Sequence, residues 1–366
     1  MYEANAIDVV IPSFRLDEQI LLGIFNVERP INFSVNFYII ADNPDLRIPD
    51  AIGDLADKGM INLIVNEVNL GFSRTRNKGI RLGSSKWLLL LDDDVIPENK
   101  LLTAYANAIL KHSDALGFAG ITNFPKPFNT NTLALELNGN TGHSKGANTR
   151  KELMWVPTTN VMLNRDKMDP ELFSERLKKG GEDIEFLVRN ATINKEKYIS
   201  VSDAVVEHPW WNGGDTRRLF RYGAGAAQIA PLPAIKDYTY HDFTNTTETL
   251  FLFLVSSPLI VPQQSWGLLL TLALIVVLAE FMTNCIRCVY LSGKFSLRLA
   301  FHLFWLKNCY EAGYFCESVL RGRISGYAER IEMGFSKRNP SWFRLNKWKI
   351  IKMCLIAIGL LVAISV

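Results

Sequence analysis

The sequence predicts an α/β fold built on a largely parallel sheet and followed by apolar helices. Three observations carry that expectation. Short apolar runs alternate with helix-length segments over the first hundred residues, the pattern of a parallel sheet in an α/β layer arrangement. The run WLLLLDDDVIPE at 87–98 drives four leucines straight into three aspartates. From residue 246 onward the chain turns to long apolar stretches.

The elements follow in order. IDVVIPS (7–13) is β-branched and ends near Pro12, as a buried strand does. NFYIIAD (36–42), INLIVNE (61–67) and KWLLLLDDD (86–94) read as three more strands, with helices over 17–25 and 73–82 between them. Ligands of such sheets bind at the carboxyl ends of strands. Pro12, Ser13, Asp42 and Asp92 to Asp94 all fall at such ends. Residues 120–150, rich in Asn, Thr, Gly and Pro, read as a long functional loop.

Beyond residue 246 the apolar runs set the organisation. LFLFLVSSPLIVP (250–262) is broken by two prolines. WGLLLTLALIVVLAEFM (266–282), whose one charge is Glu280, and WKIIKMCLIAIGLLVAISV (348–366) are each long enough, with flanks, to cross about 30 Å of hydrocarbon. Between them, 296–320 is aromatic and apolar but carries Arg298, Lys307, Glu311 and Glu317, the make-up of an amphipathic helix on a membrane surface. Many basic residues lie between 287 and 352, which places that loop in the cytoplasm. The N-terminus has no basic stretch leading an apolar run, so the α/β domain is expected on the same side. Residues 246–286 then form a hairpin, roughly 246–264 and 266–286, or a re-entrant segment.

With 40 basic against 37 acidic residues and a net charge of +3, the chain is no general nucleic-acid binder. All five cysteines lie after residue 284, so the soluble part needs no oxidising compartment. Cys285 and Cys288 form a CxxC without the second pair a zinc site requires.

Four stretches carry candidate chemistry. Two carboxylates at i and i+2 on a strand end, Asp92 and Asp94, can converge on one hard cation, while a solvated turn is the simpler alternative. In VNEVNLGFSRTRNKGI, Asn69 and Gly71 mark a turn that opens a helix bearing Arg74 and Arg76, a setting that suits a diphosphate. In KKGGEDIEFLVRN, Glu182 and Asp183 open another helix, either as helix-end charges or with an aspartate in a cleft as general base. In VEHPWWNGGDTRRLFRYGAGAA, His208 is a competent metal ligand, Trp210 and Trp211 offer a stacking or interfacial surface, and Arg217, Arg218 and Arg221 suit phosphates.

These motifs, in this order over residues 7 to about 228, resemble a family 2 glycosyltransferase of the bacterial membrane-anchored type. The resemblance implies a GT-A fold, a Rossmann-like nucleotide-diphospho-sugar transferase domain, ahead of C-terminal transmembrane and amphipathic helices. VVIPSF resembles the first strand, whose loop (Pro12, Ser13) meets the nucleotide, and Asp42 stands where an acidic residue contacts the base. NLGFSRTRNKGI resembles the NxGxxxARNxGI stretch, which puts Asn69, Gly71, Arg76 and Asn77 on the donor. LLLLDDDVIPE implies Asp92 and Asp93 at the donor, with Asp92, Asp94 and the late His208 around a divalent metal, Mn2+ or Mg2+. VPTTNVMLNRD implies Asn160 at the donor sugar, and GGEDIEFLVR implies Asp183 as base beside Glu182. RLFRYGAGAA resembles the arginine segment before the membrane helices, which places Trp210, Trp211, Arg218 and Arg221 near acceptor, lipid or diphosphate. The second strand departs from the family in ending ADNPD rather than DDGS, and Thr158 and Thr159 replace small residues. No QxxRW occurs, which argues against a processive polymerising synthase.

The expected organisation is a catalytic domain over 1–235, a membrane hairpin or re-entrant or transmembrane helices over 236–295, a cytoplasmic interfacial segment over 296–345 and a transmembrane helix over 346–366. The expected activity is inverting transfer from a nucleotide-diphospho-sugar to a hydroxyl of a lipid-linked or cell-surface glycan, at the cytoplasmic face of the membrane. The alternatives are transfer to a polyprenyl phosphate and, further off, a non-catalytic membrane-tethered nucleotide or glycan binder.

Overall fold

The computed structural model describes residues 3–211, 213–260 and 266–365. They divide into two compact units, 1–126 with 141–210 and 127–140 with 211–366.

The first unit is a nine-stranded mixed sheet flanked by helices. Its strands are β1 (Glu3–Ser13), β2 (Ser34–Ala41), β3 (Asn62–Val65), β4 (Ser85–Leu91), β5 (Ile96–Pro97), β6 (Gly117–Asn123), β7 (Glu152–Leu153), β8 (Asn160–Asn164) and β9 (Tyr198–Glu207). Its helices are α1 (Glu18–Phe25), α2 (Asp50–Asp57), α3 (Phe72–Leu82), α4 (Leu101–Lys111) and α6 (Glu182–Asn194), while α5 (Thr130–Leu137) falls in the second unit. The strand order is β3-β2-β1-β4-β8-β6-β9-β5, with β7 against β9. β3, β2, β1 and β4 run parallel, and β8 enters antiparallel to β4. β1 and β4 are buried on both faces, which is why they read as continuous apolar runs. Ile7, Val9, Ile11, Phe37, Ile39, Leu89 and Leu91 form its core. One charge sits among them: Asp8, fully buried, accepts from the Ser85 N–H at 2.9 Å and pairs with Arg165 at 3.0 Å.

The four expected strands and both expected helices are present, with ends shifted by a few residues. The expectation of a continuous loop over 120–150 is corrected. Asn129 and Thr132 make a reciprocal capping box that starts α5, and Ala134 and Leu135 bury its apolar side.

The second unit holds α5, α7 (Asp215–Ile229), α8 (Thr246–Ile260), α9 (Trp266–Ser292), α10 (Leu297–Leu320), α11 (Lys347–Ser365) and an antiparallel pair, β10 (Thr239–His241) and β11 (Glu329–Ile331). α10 crosses α7 at two glycines: a Cβ on Gly313 would strike the Phe220 carbonyl, and one on Gly223 the Tyr310 carbonyl. It buries Leu299, Leu303, Leu306 and Tyr314 and leaves Phe301 and Trp305 exposed. Glu280 of α9 lies 2.7 Å from both Lys307 of α10 and Lys352 of α11, so one buried carboxylate ties three helices. Among the described residues, α9 and α11 pass for membrane-crossing helices by overall length and composition only.

Candidate active site

β4 ends at Leu91 and hands Asp92, Asp93 and Asp94 to the carboxyl edge of the sheet, beside the end of β1. The three carboxylates take different partners. Asp93 holds the β1 loop: its Oδ2 accepts from Ser13 Oγ at 2.8 Å and from the Phe14 N–H at 3.2 Å, and its Oδ1 meets Arg15 at 2.6 Å. Ser13 Oγ in turn accepts from the Leu16 N–H at 2.9 Å. Asp92 accepts from Arg76 Nη2 at 3.2 Å and from Thr159 Oγ1 at 2.8 Å. Asp94 faces Arg15 at 2.9 Å and, through Oδ1, His208 Nε2 at 3.3 Å.

Arg76 is the hub. It is buried in α3 and reaches Asp92 with one amino group and Glu182 with the other, at 2.8 Å. The next residue, Asn77, brackets Phe173, donating to its carbonyl at 2.8 Å and accepting from its N–H at 3.0 Å. Together they hold α3 and the segment before α6 in register.

Gly180 and Gly181 both take positive φ, 102° and 90°, and this turn sets Glu182 and Asp183 at the start of α6. Burial pushes the Glu182 carboxyl up to about 7, helped by Asp183 and opposed by Arg76. Burial also raises Asp183, against the pull of Arg76 and of the Ile184 N–H, which Asp183 Oδ1 accepts at 2.8 Å. No cation lies at salt-bridge distance from Asp183 among the described residues. The pair therefore holds a proton to higher pH than ordinary carboxylates do.

Asp42 is spent on the loop that leads into α3. It accepts from Asn66 Nδ2, the Leu70 N–H and the Gly71 N–H, each at 2.8 Å. Asn69 adds an Asx turn, accepting from the Gly71 N–H at 3.0 Å, and Gly71, at φ 80°, opens the helix. A cavity of about 300 Å³ lies against this turn, lined by Asn69, Gly71, Ser73, Arg74, Glu175 and Lys178. Ser73 Oγ, buried here, has no hydrogen-bond partner among the described residues.

Not every residue singled out in the sequence reaches this edge. Asn160 is fully buried inside the sheet, accepting from Tyr105 OH at 2.7 Å and donating to the carbonyls of Ile121 and Ala204. Its neighbour Thr159 is the one that meets Asp92. Pro12 is half-buried within β1, paired with Ile40. Trp210 is buried, donating to the Pro125 carbonyl at 2.8 Å and packed on Phe124, which also packs on His208. Trp211, Arg218 and Arg221 belong to the second unit. There Arg218 lies over the Trp211 ring and pairs with Asp215 at 2.8 Å, and Arg221 is exposed. Arg15 and Thr159 are site residues that sequence reasoning missed. Arg15 follows a strand end without a motif, and Thr159 stood out only as a departure from the family pattern.

No group of three or more His, Cys, Asp or Glu side chains converges as a metal site among the described residues. The donor chemistry still suits a divalent ion. Asp94 Oδ1 and His208 Nε2 face each other at 3.3 Å, and carboxylates outnumber the two guanidiniums along this edge. Asp92 is held by Arg76 and Thr159 and does not join them.

A half-parallel sheet that delivers aspartates to its ligand edge, facing an acidic pair on a following helix, is the architecture of a GT-A glycosyltransferase. Residues 8–173 match the family described as Glycosyl transferase family 2. No curated protein matches the chain by sequence. Among solved structures it is similar to the mannosyltransferase PcManGT from Pyrobaculum calidifontis in complex with GDP-Man and Mn2+, at 14% identity and a TM-score of 0.44, over 61% of this chain and 62% of that one. It is also similar to S. aureus TarS, at 13% identity and a TM-score of 0.40, over 62% of this chain and 40% of that one. TarS 1-349 in complex with UDP-GlcNAc matches at 13% and 0.44, over 91% and 98%. The chain thus spans under two thirds of the length of PcManGT and of the longer TarS.

Proposed function

We propose that the chain is an inverting glycosyltransferase that takes a sugar from a nucleotide-diphospho-sugar and gives it to a hydroxyl of a lipid-linked or cell-surface glycan at the cytoplasmic face of the membrane. The observation that carries this is Asp183, a half-buried carboxylate raised above its usual range, without a salt-bridged cation among the described residues, beside an Arg76 already shared by Asp92 and Glu182. A carboxylate so placed can take the proton of the acceptor hydroxyl as that oxygen attacks C1. The bond from C1 to the diphosphate breaks on the opposite face, and one displacement inverts the anomeric centre.

The donor nucleotide is placed in the cavity at the start of α3, whose wall holds Arg74, paired with Glu175 at 2.7 Å, and the Ser73 hydroxyl, unpartnered among the described residues. Arg76 keeps Asp92 and Glu182 in place, and Arg15 with Asp93 fixes the β1 loop. A divalent ion, held by Asp94 and His208, would offset the charge that builds on the departing diphosphate. PcManGT was solved with Mn2+ and GDP-Man, which supports both the metal and the donor class. The membrane assignment is supported by α9 and α11, and the cytoplasmic face by the basic residues between 287 and 352.

The test is a panel of nucleotide-sugars given to the full chain in lipid, with and without Mn2+ or Mg2+. Transfer or slow donor hydrolysis that requires the metal, with an inverted product anomer by NMR, is expected. A retained anomer contradicts the single displacement, and the absence of any donor turnover contradicts the enzyme.

A further inference from the structure

α8 and α9 meet at one level of the second unit. Thr246, the first residue of α8, lies 3.4 Å from Glu280 in the middle of α9, and Lys352 of α11 reaches both, Thr246 Oγ1 at 2.9 Å and Glu280 at 2.7 Å. Five residues, 261–265, join the far ends of α8 and α9 and lie outside the described residues.

Beyond the Thr246, Glu280 and Lys352 level, toward those far ends, the helices carry almost no charge. α8 has 15 residues, with one acid, Glu248, in its first turn, where it pairs with Arg330 at 2.8 Å. From Trp266 to Ala279, α9 has none, and α11 has none from Met353 to Ser365. Leu252, Leu254, Leu259, Leu268, Leu270, Leu274, Ile358 and Leu361 point outward. At a rise of about 1.5 Å per residue, each of these arms extends about 20 Å.

On the other side of that level the surroundings are polar. α9 continues through Asn284 and Arg287, which donates to Asn138 of α5 at 3.1 Å. Lys347 stands over the Tyr290 and Trp348 rings at 3.5 and 4.8 Å, and Lys349 pairs with Asp242 at 2.9 Å. The exposed Lys347 beside Tyr and Trp rings, with Lys349 and Arg287 behind it, is the collar expected at the headgroups of an anionic bilayer. A hydrocarbon core of about 30 Å is out of reach of arms of about 20 Å.

The backbone of α8 fits the same environment. Pro258 removes the donor for the Leu254 carbonyl, and the Ser257 hydroxyl supplies one at 2.8 Å. Lipid-exposed helix demands such a repair, because no water is there to make it.

We infer that the partner of this surface is the near part of a bilayer: α8 and the first half of α9 form a re-entrant hairpin that enters and leaves by one face, with the Glu280, Lys307 and Lys352 cluster at the headgroup boundary. The inference rests on the membrane reading of this unit and decides its depth.

Nitroxides attached through a ketone-bearing amino acid at Leu252, Leu259, Leu268 or Leu278, one at a time, leave the five cysteines untouched. Depth is read by power saturation with oxygen against a water-soluble nickel chelate, on the full chain in vesicles containing anionic lipid. Depth is expected to increase from Leu252 to Leu259 and from Leu278 to Leu268. Shallow values at Leu259 and Leu268, with a maximum at a further label on Leu274, would mean a full crossing and overturn the inference. Water-like accessibility at every position would overturn the membrane reading as well.

Discussion

Both units bury carboxylates beside cations, and they do so to opposite effect. In the second unit Glu280 sits between Lys307 and Lys352, both at 2.7 Å, and accepts from Asn284 besides. Such a group is a staple: its charge is answered and it has nothing left to give. Along the sheet edge of the first unit, Arg76 serves Asp92 and Glu182 together, and Asp183 has no cation at contact distance among the described residues. A half-buried acid left short of partners is poised to exchange a proton. The contrast separates residues that hold the fold from residues placed for chemistry, and substitutions can break it from either side.

The largest expected effect is on Asp183. In Asp183→Asn, transfer should fall by about 10²–10⁴-fold, the usual worth of a positioned base, with donor affinity by calorimetry unchanged. Turnover near the wild-type rate with the true substrates would remove Asp183 from the role. Arg76→Met should fail on both counts. It strands two carboxylates that are largely buried, at a cost of about 3–5 kcal/mol by chemical unfolding, and loosens the site as well. Lys352→Met should lower stability in lipid by about 3 kcal/mol while leaving donor hydrolysis per folded molecule as it was. A loss of donor turnover equal to that of Arg76→Met would erase the distinction between the two clusters. The smallest effect belongs to Asp42→Asn, which weakens the caps on Leu70 and Gly71 by about 1 kcal/mol and should weaken donor binding without lowering kcat.

Most of the sheet was legible because a strand buried on both faces announces itself as an unbroken apolar run, as LLLL before Asp92 does. The acidic motifs were legible by their position at strand and helix ends. What the sequence concealed is how each polar group is shared. Nothing in DDD distinguishes the aspartate that ties down the β1 loop from the one beside His208, since that depends on Ser13 and Arg15, about 80 residues away. Asn160 and Thr159 differ by one position on the chain, yet Asn160 opens β8 and is buried in the core while Thr159, in the turn before it, meets Asp92. α5 was concealed because its capping residues, Asn129 and Thr132, are the same residue types that mark loops.

The pH dependence of transfer tests the central claim most directly. Glu182 titrates near 7 in the fold, against about 4.3 unfolded, and Asp183 is raised with it. For stability the sign follows: the protonated pair favours the folded state, so its contribution is full below about pH 4 and is lost as pH rises through 7. For catalysis the sign is reversed, because the base must be ionised. The wild-type kcat/KM should climb as pH rises above the ordinary aspartate range, because Asp183 is raised by burial, and Asp183→Asn should lose that limb. A profile that is flat above that range, or a limb that survives in Asp183→Asn, would contradict the assignment of the proton transfer to Asp183.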